Sequence, residues 1–401
     1  MAEGTRTNRQ GLIIGAGIAG PATAMALRRV GIDAVVFEAT PEPRDEAGAF
    51  LNLAPNGINV LRALGLEHVL HQIGFQNDRI VFRNDAGRIL AEVPVGGITV
   101  MRGALSAALR QAAEARGVRF AFGKALESIE GRAGAVIARF RDGATATGSF
   151  LVGADGIHSR TRHTCFPNAQ NPAYTGIINL GGIVHTDLPP TGNAMHMIFG
   201  RSGFFGYAVR PCGQTYWFSN VAQKHEPSRG ELSHVSAQQV TQHLLSIHRD
   251  DPPEVNRILQ SVSGEIGAYA VYDLPSLPSW HRDAVCLVGD AAHAIGPHVG
   301  QGASLALEDA FVVARCLRDI SDSAKAFATF EHVRRPRVEP VVRQSRRTAQ
   351  QKEPTGWLGR KVRDLILPTF LRKGAEAANR LYAFPLEWDE PIVPEMQAEV
   401  Q

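Results

Sequence analysis

The stretch Gly15–Gly20, GAGIAG, constrains the fold of this chain more than any other feature of its sequence. It follows an apolar run and precedes an alanine-rich segment with helical spacing, and Glu38 ends the next apolar run eighteen residues after Gly20. Glycines in this pattern permit a tight turn and let the backbone approach a pyrophosphate at the positive end of a helix, while the acid can accept from a ribose. The pattern therefore predicts a βαβ unit that binds a dinucleotide. The alternative is a glycine-rich strand–helix turn in an unrelated α/β protein.

Size and composition narrow the function further. A chain of 401 residues is expected to form about two or three domains. Its 44% hydrophobic and 20% charged residues are typical of a soluble globular protein. The net charge is only +3, and no basic tract is interleaved with aromatic residues, so we do not expect a nucleic-acid partner. The 4 cysteines lie far apart without a C-x-x-C pair, which argues against a metal site and fits a reducing cytoplasm.

The N-terminal region gives no sign of a targeting or membrane segment. The first ten residues, MAEGTRTNRQ, are polar and do not resemble a signal peptide. The following uncharged stretch, GLIIGAGIAGPATAMAL, is at the short limit for a membrane span. Its glycines and proline lie where a nucleotide-binding turn requires them, so we interpret it as a strand, a turn and a helix.

The nucleotide-type pattern occurs in separated pieces of the chain. Residues 79–99 alternate like a hairpin, 176–221 read as antiparallel strands, and 236–260 look helical. These features predict an α/β fold, in which a Rossmann-type domain carries an inserted antiparallel-sheet substrate domain and C-terminal helices. The predicted boundaries are 1–75, 100–172 and 275–335 for the nucleotide-binding domain, 76–99 and 173–274 for the substrate domain, and 336–401 for the helical segment.

The C-terminal segment contains a basic amphipathic stretch, WLGRKVRDLILPTFLRK. Our interpretation is a helix that covers the surface of the domain. Peripheral membrane contact is the alternative. The sequence does not indicate an oligomeric state.

Two further motifs follow apolar runs, GADGIHSRTR at 153–162 and GDAAHAIGPHVGQG at 289–302. Together with GAGIAG, they resemble the three segments of the single-component FAD-dependent aromatic hydroxylases, the para-hydroxybenzoate hydroxylase fold. Smaller similarities are GAFLNLAPN at 48–56, Arg102 before a helix, EDA at 308–310 and FEHVRRPRV at 330–338. The resemblance covers about residues 10 to 345 and is weakest over 170–280, where such a family would vary its substrate.

The resemblance implies a set of FAD-binding residues. Asp290 would bind the ribityl chain, Arg102 would lie near the phosphates, and the helix that starts at Gly300–Gly302 would point its positive end at the flavin. Asp155 and Arg160 match a segment linked to FAD and to the nicotinamide nucleotide. We expect His293 to be a fixed structural histidine, and a proton donor is the alternative. The full set of expected FAD ligands is Gly15, Gly17, Ile18, Ala19, Gly20, Glu38, Arg102, Asp155, Asp290, Gly300, Gln301 and Gly302.

The substrate side is the least specified part of the sequence. The aromatic stretch 199–220 suits a flat apolar ligand, although ordinary sheet packing also favours aromatic residues. By resemblance, Pro297 lies next to the substrate and Arg210 stands where an arginine binds a substrate anion; a solvated arginine beside a turn is the alternative. Tyr216 is expected to contact flavin or substrate, and His298 is a candidate acid–base group.

The resemblance implies a monooxygenase that uses NADH or NADPH, O2 and a flavin C4a-hydroperoxide to hydroxylate an aromatic or polyketide-like small molecule. The chain contains no second G-x-G-x-x-G in a strand–helix context, so nicotinamide is expected to bind transiently. It also lacks W-x-W-x-I-P, which disfavours a flavin halogenase. The alternatives are a reductase or dehydrogenase of the same fold that does not insert oxygen, and an FAD-binding scaffold without activity.

Overall fold

The structure is a computed structural model that describes residues 9–45, 48–132, 134–228, 230–233, 236–297, 299–351 and 356–392. In this part of the chain the strands are β1 (Gln10–Ile14), β2 (Asp33–Phe37), β3 (Phe50–Leu53), β4 (Gly74–Asn84), β5 (Ile89–Met101), β6 (Arg119–Ala121), β7 (Leu126–Arg132), β8 (Ala135–Phe140), β9 (Thr145–Gly148), β10 (Phe150–Gly153), β11 (Ala173–His185), β12 (Ala194–Phe199), β13 (Phe204–Val209), β14 (Gln214–Ala222), β15 (Gly267–Asp273), β16 (His281–Arg282) and β17 (Val285–Leu287). The α-helices are α1 (Ala19–Arg29), α2 (Pro55–Ala63), α3 (Glu67–Ile73), α4 (Arg102–Ala115), α5 (Arg160–Cys165), α6 (Ala237–Ile247), α7 (Pro253–Gln260), α8 (Asp290–His293), α9 (Gly302–Asp319), α10 (Ser323–Gln351) and α11 (Trp357–Tyr382).

The first sheet has the order β16-β17-β10-β1-β2-β6, and only β16 is antiparallel to its neighbour. Strands β10 and β17 are buried along their whole length, as expected of parallel strands that are covered on both faces. The carboxyl ends of β1, β2, β10 and β17 meet at one edge of the sheet, where ligands of such sheets usually bind. This edge gathers the residues that follow four distant parts of the chain.

The second sheet has eight strands in the order β15-β11-β14-β13-β12-β4-β5-β3, and β12 is the strand that pairs in parallel, with β4. Strands β4 and β5 form the hairpin expected over 79–99, with the turn at Asn84. One face packs on α6 and α7 through Trp217, Ile258 and Leu259. Because side chains alternate along a strand, Tyr216, Phe218 and Asn220 of β14 lie on the opposite face.

Three features differ from the sequence expectations or go beyond them. The region 236–260 is helical, as expected, and is divided into two helices because Pro252 and Pro253 interrupt the helical hydrogen bonding. Strands β7–β9 form a separate three-stranded sheet that no pattern had indicated. Helix α10 crosses the expected boundary at 335, while the other domain boundaries stay predictions.

The α/β fold class is confirmed, since a mainly parallel sheet carries an inserted, mainly antiparallel one. The uncharged N-terminal stretch forms β1 and α1. No helix in the described ranges is long and apolar enough to cross a membrane.

Candidate active site

In the glycine turn after β1, two positions require glycine because neighbouring backbone atoms leave no room for a side chain. Gly15 has a φ of 105°, and its N–H donates to the carbonyl of Phe37 at 2.8 Å. A Cβ on Gly15 would overlap the carbonyl of Ala154, and one on Gly20 would overlap the carbonyl of Gly15. Gly17 differs, because a Cβ there would meet nothing within 4 Å. The turn is therefore packed at both ends and open in the middle.

Helix α1 begins beside this opening. Its first turn has Ile18 as the N-cap residue, no side-chain cap and no acidic residue. The N–H groups of a helix's first turn have no partner within the helix, and they carry the positive end of its dipole. The first turn of α1, with Ile18 and Ala19, can therefore bind an anion in the open space next to Gly17.

Glu38 lies at the end of β2 and supports the same turn. Its Oε2 accepts the N–H of Ala16 at 2.8 Å, and its Oε1 accepts the N–H and the hydroxyl of Thr40 at 3.0 and 3.2 Å. The carboxylate is half-buried, and these three accepted hydrogen bonds leave one lone pair, on Oε2, unused. Glu38 thus fixes the glycine turn and retains capacity to accept from a ligand hydroxyl.

Arg102 and Asp290 face each other across the same edge. Arg102 is the first residue of α4 and Asp290 the first of α8, and Nη2 of the arginine lies 4.0 Å from Oδ2 of the aspartate. Their side chains are 60% and 36% exposed, so each is free to contact a ligand. A Cβ on Gly302 would lie 3.8 Å from Oδ1 of Asp290, which places the start of α9 beside them.

Helix α9 presents a second open N-terminus. Gly300 has a φ of 63° and nothing within 4 Å of a Cβ position, and the N-cap residue Gln301 makes no side-chain cap. The side chain of Gln301 is instead held from behind, because Nδ2 of Asn56 donates to its Oε1 at 3.1 Å and to Oε1 of Glu308 at 2.7 Å. The sequence offered Asn56 only as part of GAFLNLAPN, without a role.

A buried charge network supports this helix. Arg334 is fully buried and donates to Glu308 at 2.6 Å and to Asp309 at 2.7 Å, while Arg337 donates to Glu308 and to the carbonyl of Leu381. Burial raises the pKa of the Asp309 carboxyl, but the charges of His293 and Arg334 outweigh it and bring the pKa down to about 2. The network connects α9 to α10, and its residues lie in the EDA and FEHVRRPRV motifs.

Asp155 is used mainly to hold its own loop. Its carboxylate accepts from the hydroxyl of Ser159 at 2.6 Å and from the N–H and hydroxyl of Thr161 at 2.9 and 3.0 Å. Arg160 is exposed and donates to the carbonyl of Glu127. Arg162, which the sequence did not single out, is fully buried and donates to the carbonyl of Ala291 at 2.9 Å. Arg162 therefore ties the second motif to the third.

Arg210 and Tyr216 lie together at the hairpin between β13 and β14. Nη1 of Arg210 donates to Oε1 of Gln214 at 3.2 Å, and its guanidinium lies 5.5 Å from the ring centre of Phe75. The Tyr216 hydroxyl donates to the same Gln214 oxygen at 3.3 Å, and its ring contacts Phe50 and Phe75. Burial raises the pKa of Tyr216 against the opposing effect of Arg210, so the phenol is protonated at neutral pH.

Pro297 is exposed in the loop between α8 and α9. This loop is fastened to its surroundings, because the hydroxyl of Ser345 donates to the carbonyl of Gly296 at 3.0 Å and the N–H of Leu274 donates to the carbonyl of Ala294 at 3.1 Å. Ile295 and Gly296 share a small cavity with Thr175 of β11, so the loop borders the second sheet. His298 lies outside the described residues.

Comparison with known proteins identifies the family. A model of the FAD binding domain matches residues 8–345. Among curated proteins, 3-amino-4-hydroxybenzoate 2-monooxygenase of Streptomyces cremeus is 31% identical over 84% of this chain and 86% of its own length. 6-hydroxynicotinate 3-monooxygenase of Pseudomonas fluorescens is 27% identical over 82% of this chain and 89% of its own length.

The solved structures agree with these sequence matches. A variant of HpxO from Klebsiella pneumoniae complexed with FAD has a TM-score of 0.81 and 25% identity, with 93% of this chain and 97% of that chain covered. A salicylate hydroxylase substrate complex, at 22% identity, shares the fold with a TM-score of 0.77 over 95% of this chain and 99% of that chain. The chain belongs to the FAD binding domain family and is a flavin-dependent monooxygenase of the aromatic hydroxylase type.

Proposed function

We propose that this chain binds FAD along the carboxyl edge of the first sheet and hydroxylates a planar small molecule held against the second sheet, with NADH or NADPH as the reductant. The substrate class is an aromatic or polyketide-like molecule. One observation supports the proposal most strongly. Two helix N-termini without side-chain caps, at Gly17 and at Gly300, open at the edge where Arg102 and Asp290 are exposed.

The residues at this edge fit FAD by their chemistry. The uncapped turn of α1 suits a pyrophosphate, Glu38 has one free lone pair on Oε2 for a ribose hydroxyl, and Arg102 adds a cation for the phosphates. Asp290 is an acceptor for the ribityl hydroxyls. Bound FAD would supply the redox chemistry, namely acceptance of a hydride from nicotinamide and activation of O2.

The protein itself positions the reactants and stabilises negative charge beside the N-terminus of α9. The positive end of α9, from Gly300 to Gly302, favours negative charge next to it. Asn56 holds Gln301 so that this helix end keeps its place. Asp155 acts in this proposal by fixing the loop that Arg162 connects to α8.

The hairpin end of the second sheet provides orientation of the substrate. Arg210 can match a carboxylate or phenolate, and Gln214 holds both its guanidinium and the Tyr216 hydroxyl in place. Phe50 and Phe75 provide apolar area for a ring. Pro297 extends from the loop that borders this sheet, and an acid–base role for His298 stays a prediction.

The test is anaerobic reduction of the purified flavoprotein by NADH and by NADPH, each with a panel of phenols, aromatic acids, N-heteroaromatics and polycyclic phenolics. We expect one ligand to accelerate reduction and, once ¹⁸O2 is admitted, to gain one labelled oxygen atom. Accelerated reduction that yields only peroxide would identify the ligand as an effector. Reduction without oxygen insertion for every ligand would support a reductase, and a flavin that neither nucleotide reduces would support a scaffold.

A further inference from the structure

Two asparagine side chains form a pair in the middle of the second sheet. Nδ2 of Asn179 on β11 donates to Oδ1 of Asn220 on β14 at 2.7 Å, and the two residues are register partners. Residues directly opposite each other in an antiparallel pair lie on the same face. Their sequence neighbours Ile178, Leu180 and Val221 pack on the other face, together with Trp217, against α6 and α7. The amide pair therefore lies on the face that also carries Tyr216 and Phe218.

The pair leaves hydrogen-bonding capacity unused. Each carboxamide has two N–H donors and an acceptor oxygen, and their mutual hydrogen bond consumes one donor and one lone pair. In the described part of the chain, Nδ2 of Asn220 and Oδ1 of Asn179 have no other partner, and neither is a fully enclosed atom. One wholly unused NH2 group and one wholly unused carbonyl oxygen therefore remain side by side, whichever amide is taken as the donor.

Aromatic rings flank the amides across the sheet. Phe204 of β13 pairs with Asn220, and Tyr269 of β15 pairs with Asn179, so a row of ring, amide, amide and ring crosses four strands. Tyr269 is 39% exposed, which leaves this end of the row open. Phe204 is buried among Phe199, Leu90 and Leu367, so a planar ligand would find its exposed aromatic surface on the Tyr269 side of this neutral polar pair.

The nearest positive group of the proposed substrate site lies far along the strands. The main-chain positions of Asn220 and of Gln214, which holds Arg210, are six residues apart along β14, about 20 Å at about 3.4 Å per residue. A two-ring ligand cannot reach both positions. The hairpin end and the amide pair therefore recognise different chemical groups.

We propose that Asn179 and Asn220 form a recognition site for the donor–acceptor edge of a lactam, the adjacent N–H and C=O of a cyclic amide, in a planar heteroaromatic substrate. Such an edge matches the remaining acceptor and donor of the pair. A site that hydrogen-bonds a ligand N–H discriminates strongly against an analogue that lacks it, because its own polar groups are then left unpaired. This inference rests on the proposed function and names a substrate class for it.

The test uses three two-ring probes: 2-quinolone, N-methyl-2-quinolone and 2-naphthoate. Dissociation constants are measured by calorimetry on the FAD-loaded protein, with flavin content and thermal unfolding followed for every variant. We expect 2-quinolone to bind at least about tenfold more tightly than its N-methyl analogue. Equal binding of the two quinolones, or no binding by either, would overturn the proposal.

Asn220→Asp is the decisive variant, because its carboxylate still accepts from Asn179 but loses the free donor. We expect it to weaken 2-quinolone about tenfold and to leave 2-naphthoate within twofold, whereas Arg210→Gln should do the opposite. The matched control is Asn256→Asp on α7, which faces away from this surface and donates to the carbonyl of His248. If Asn220→Asp does not retain FAD, Asn179→Asp replaces it, since Asn220 would then spend its donor on the new carboxylate.

Two readouts keep the two proposals separate. Unchanged 2-quinolone affinity in both aspartate variants, in a protein whose flavin is still reduced faster with some ligand, overturns the lactam site alone. A flavin that no ligand and neither nucleotide reduces overturns the proposed function, whatever the probes bind.

Discussion

Nε2 of His293 lies 2.6 Å from Oδ2 of Asp309, and the same carboxylate oxygen accepts the N–H of Gly289 at 2.8 Å. Gly289 has a φ of 57° and directly precedes Asp290. The aspartate in the middle of α9 therefore fixes the turn that presents Asp290 toward the proposed flavin site. A single buried acid links the positions of Asp290 and of the α9 N-terminus.

Replacement of Asp309 is expected to destabilise both the turn that presents Asp290 and the N-terminus of α9. Asp309→Asn keeps the size of the side chain but leaves the fully buried Arg334 with Glu308 as its remaining acid among the described residues. Breaking a buried ion pair costs about 3–5 kcal/mol, so we expect a fall of about 3 kcal/mol in the free energy of unfolding, measured in urea, together with weaker FAD binding. Glu114→Gln, which removes the surface pair with Arg110, is the control and should cost less than about 1 kcal/mol. Similar urea midpoints for the two variants would contradict the structural role of Asp309.

Acid pH should weaken this network and the separate cluster that Glu331 forms with His281 and Arg335. The pKa of Asp309 is about 2, and burial of Glu331 is outweighed by its hydrogen bonds from His281 and Arg335, which bring its pKa to about 2 as well. Because both folded-state values lie below the ordinary ones of 3.8 and 4.5, their stabilisation is complete above about pH 5 and is lost progressively as the pH falls toward 2. Urea unfolding of the wild type between pH 5 and 2.5 should show this loss, and Asp309→Asn should show less of it. An equally steep pH dependence in that variant would assign the effect to other groups.

Two glycines of the first turn should respond differently to the same substitution. Gly20→Ala overlaps the carbonyl of Gly15 and should reduce folded yield and FAD content together. Gly17→Ala finds nothing within 4 Å, so its melting temperature without FAD should match the wild type, while FAD affinity falls more than about tenfold because the methyl group occupies the space above α1. Calorimetry on apoprotein and an FAD titration measure both quantities. Full FAD affinity in Gly17→Ala would remove this turn from the proposed site.

Tyr216→Phe tests the hairpin end of the second sheet. The change removes the hydroxyl that donates to Gln214 and retains the ring contacts with Phe50 and Phe75. We expect stability within about 1 kcal/mol of wild type and unchanged FAD binding, since one partly buried hydrogen bond is lost. Ligand-stimulated flavin reduction should slow, as measured by anaerobic stopped-flow. Trp388→Phe, a distant aromatic control beside Phe311, should leave that rate unchanged. Equal stimulated rates in Tyr216→Phe and wild type would exclude a role for the hydroxyl in the ligand response.

Thiol labelling tests the exposure of Cys212, which lies at the hairpin end of the second sheet. Cys212 is exposed in the β13–β14 turn, whereas Cys165, Cys286 and Cys316 are buried. Burial raises the pKa of Cys165 and of Cys316 to about 12, which further suppresses their reaction as thiolates. Native protein should therefore take up one equivalent of iodoacetamide at pH 8, and four after unfolding. Peptide mapping that found the label elsewhere would contradict the burial of these thiols.

Much of this architecture could be read from local patterns. The turn Gly15–Gly20 predicted a strand, a helix and an anion site because glycine conformation and helix polarity are local properties of the chain. The hairpin over 79–99 and the helix at Arg102 were readable for the same reason. The resemblance of three separated motifs supplied the family, which the comparisons confirm.

Other residues had no local signature. Asn56, Arg162 and Arg334 gain their roles only from partners more than a hundred positions away, or, for Arg334, from the two acids of a neighbouring helix. A lone asparagine or arginine in sequence is equally consistent with a solvated surface side chain. Burial decides between these states, and burial depends on which elements pack together.

The sequence by itself determined that the chain contains a dinucleotide-type βαβ unit, an inserted β-rich region and three motifs in the order that the resembled family shows. Tertiary structure alone decided that Asp309 fixes Gly289, that Gln214 joins Arg210 to Tyr216, and that Asn179 meets Asn220. The physical reason is the range of the interactions. Backbone propensity and periodicity act over a few residues, whereas strand register and the pairing of buried polar groups depend on contacts that only the folded chain creates.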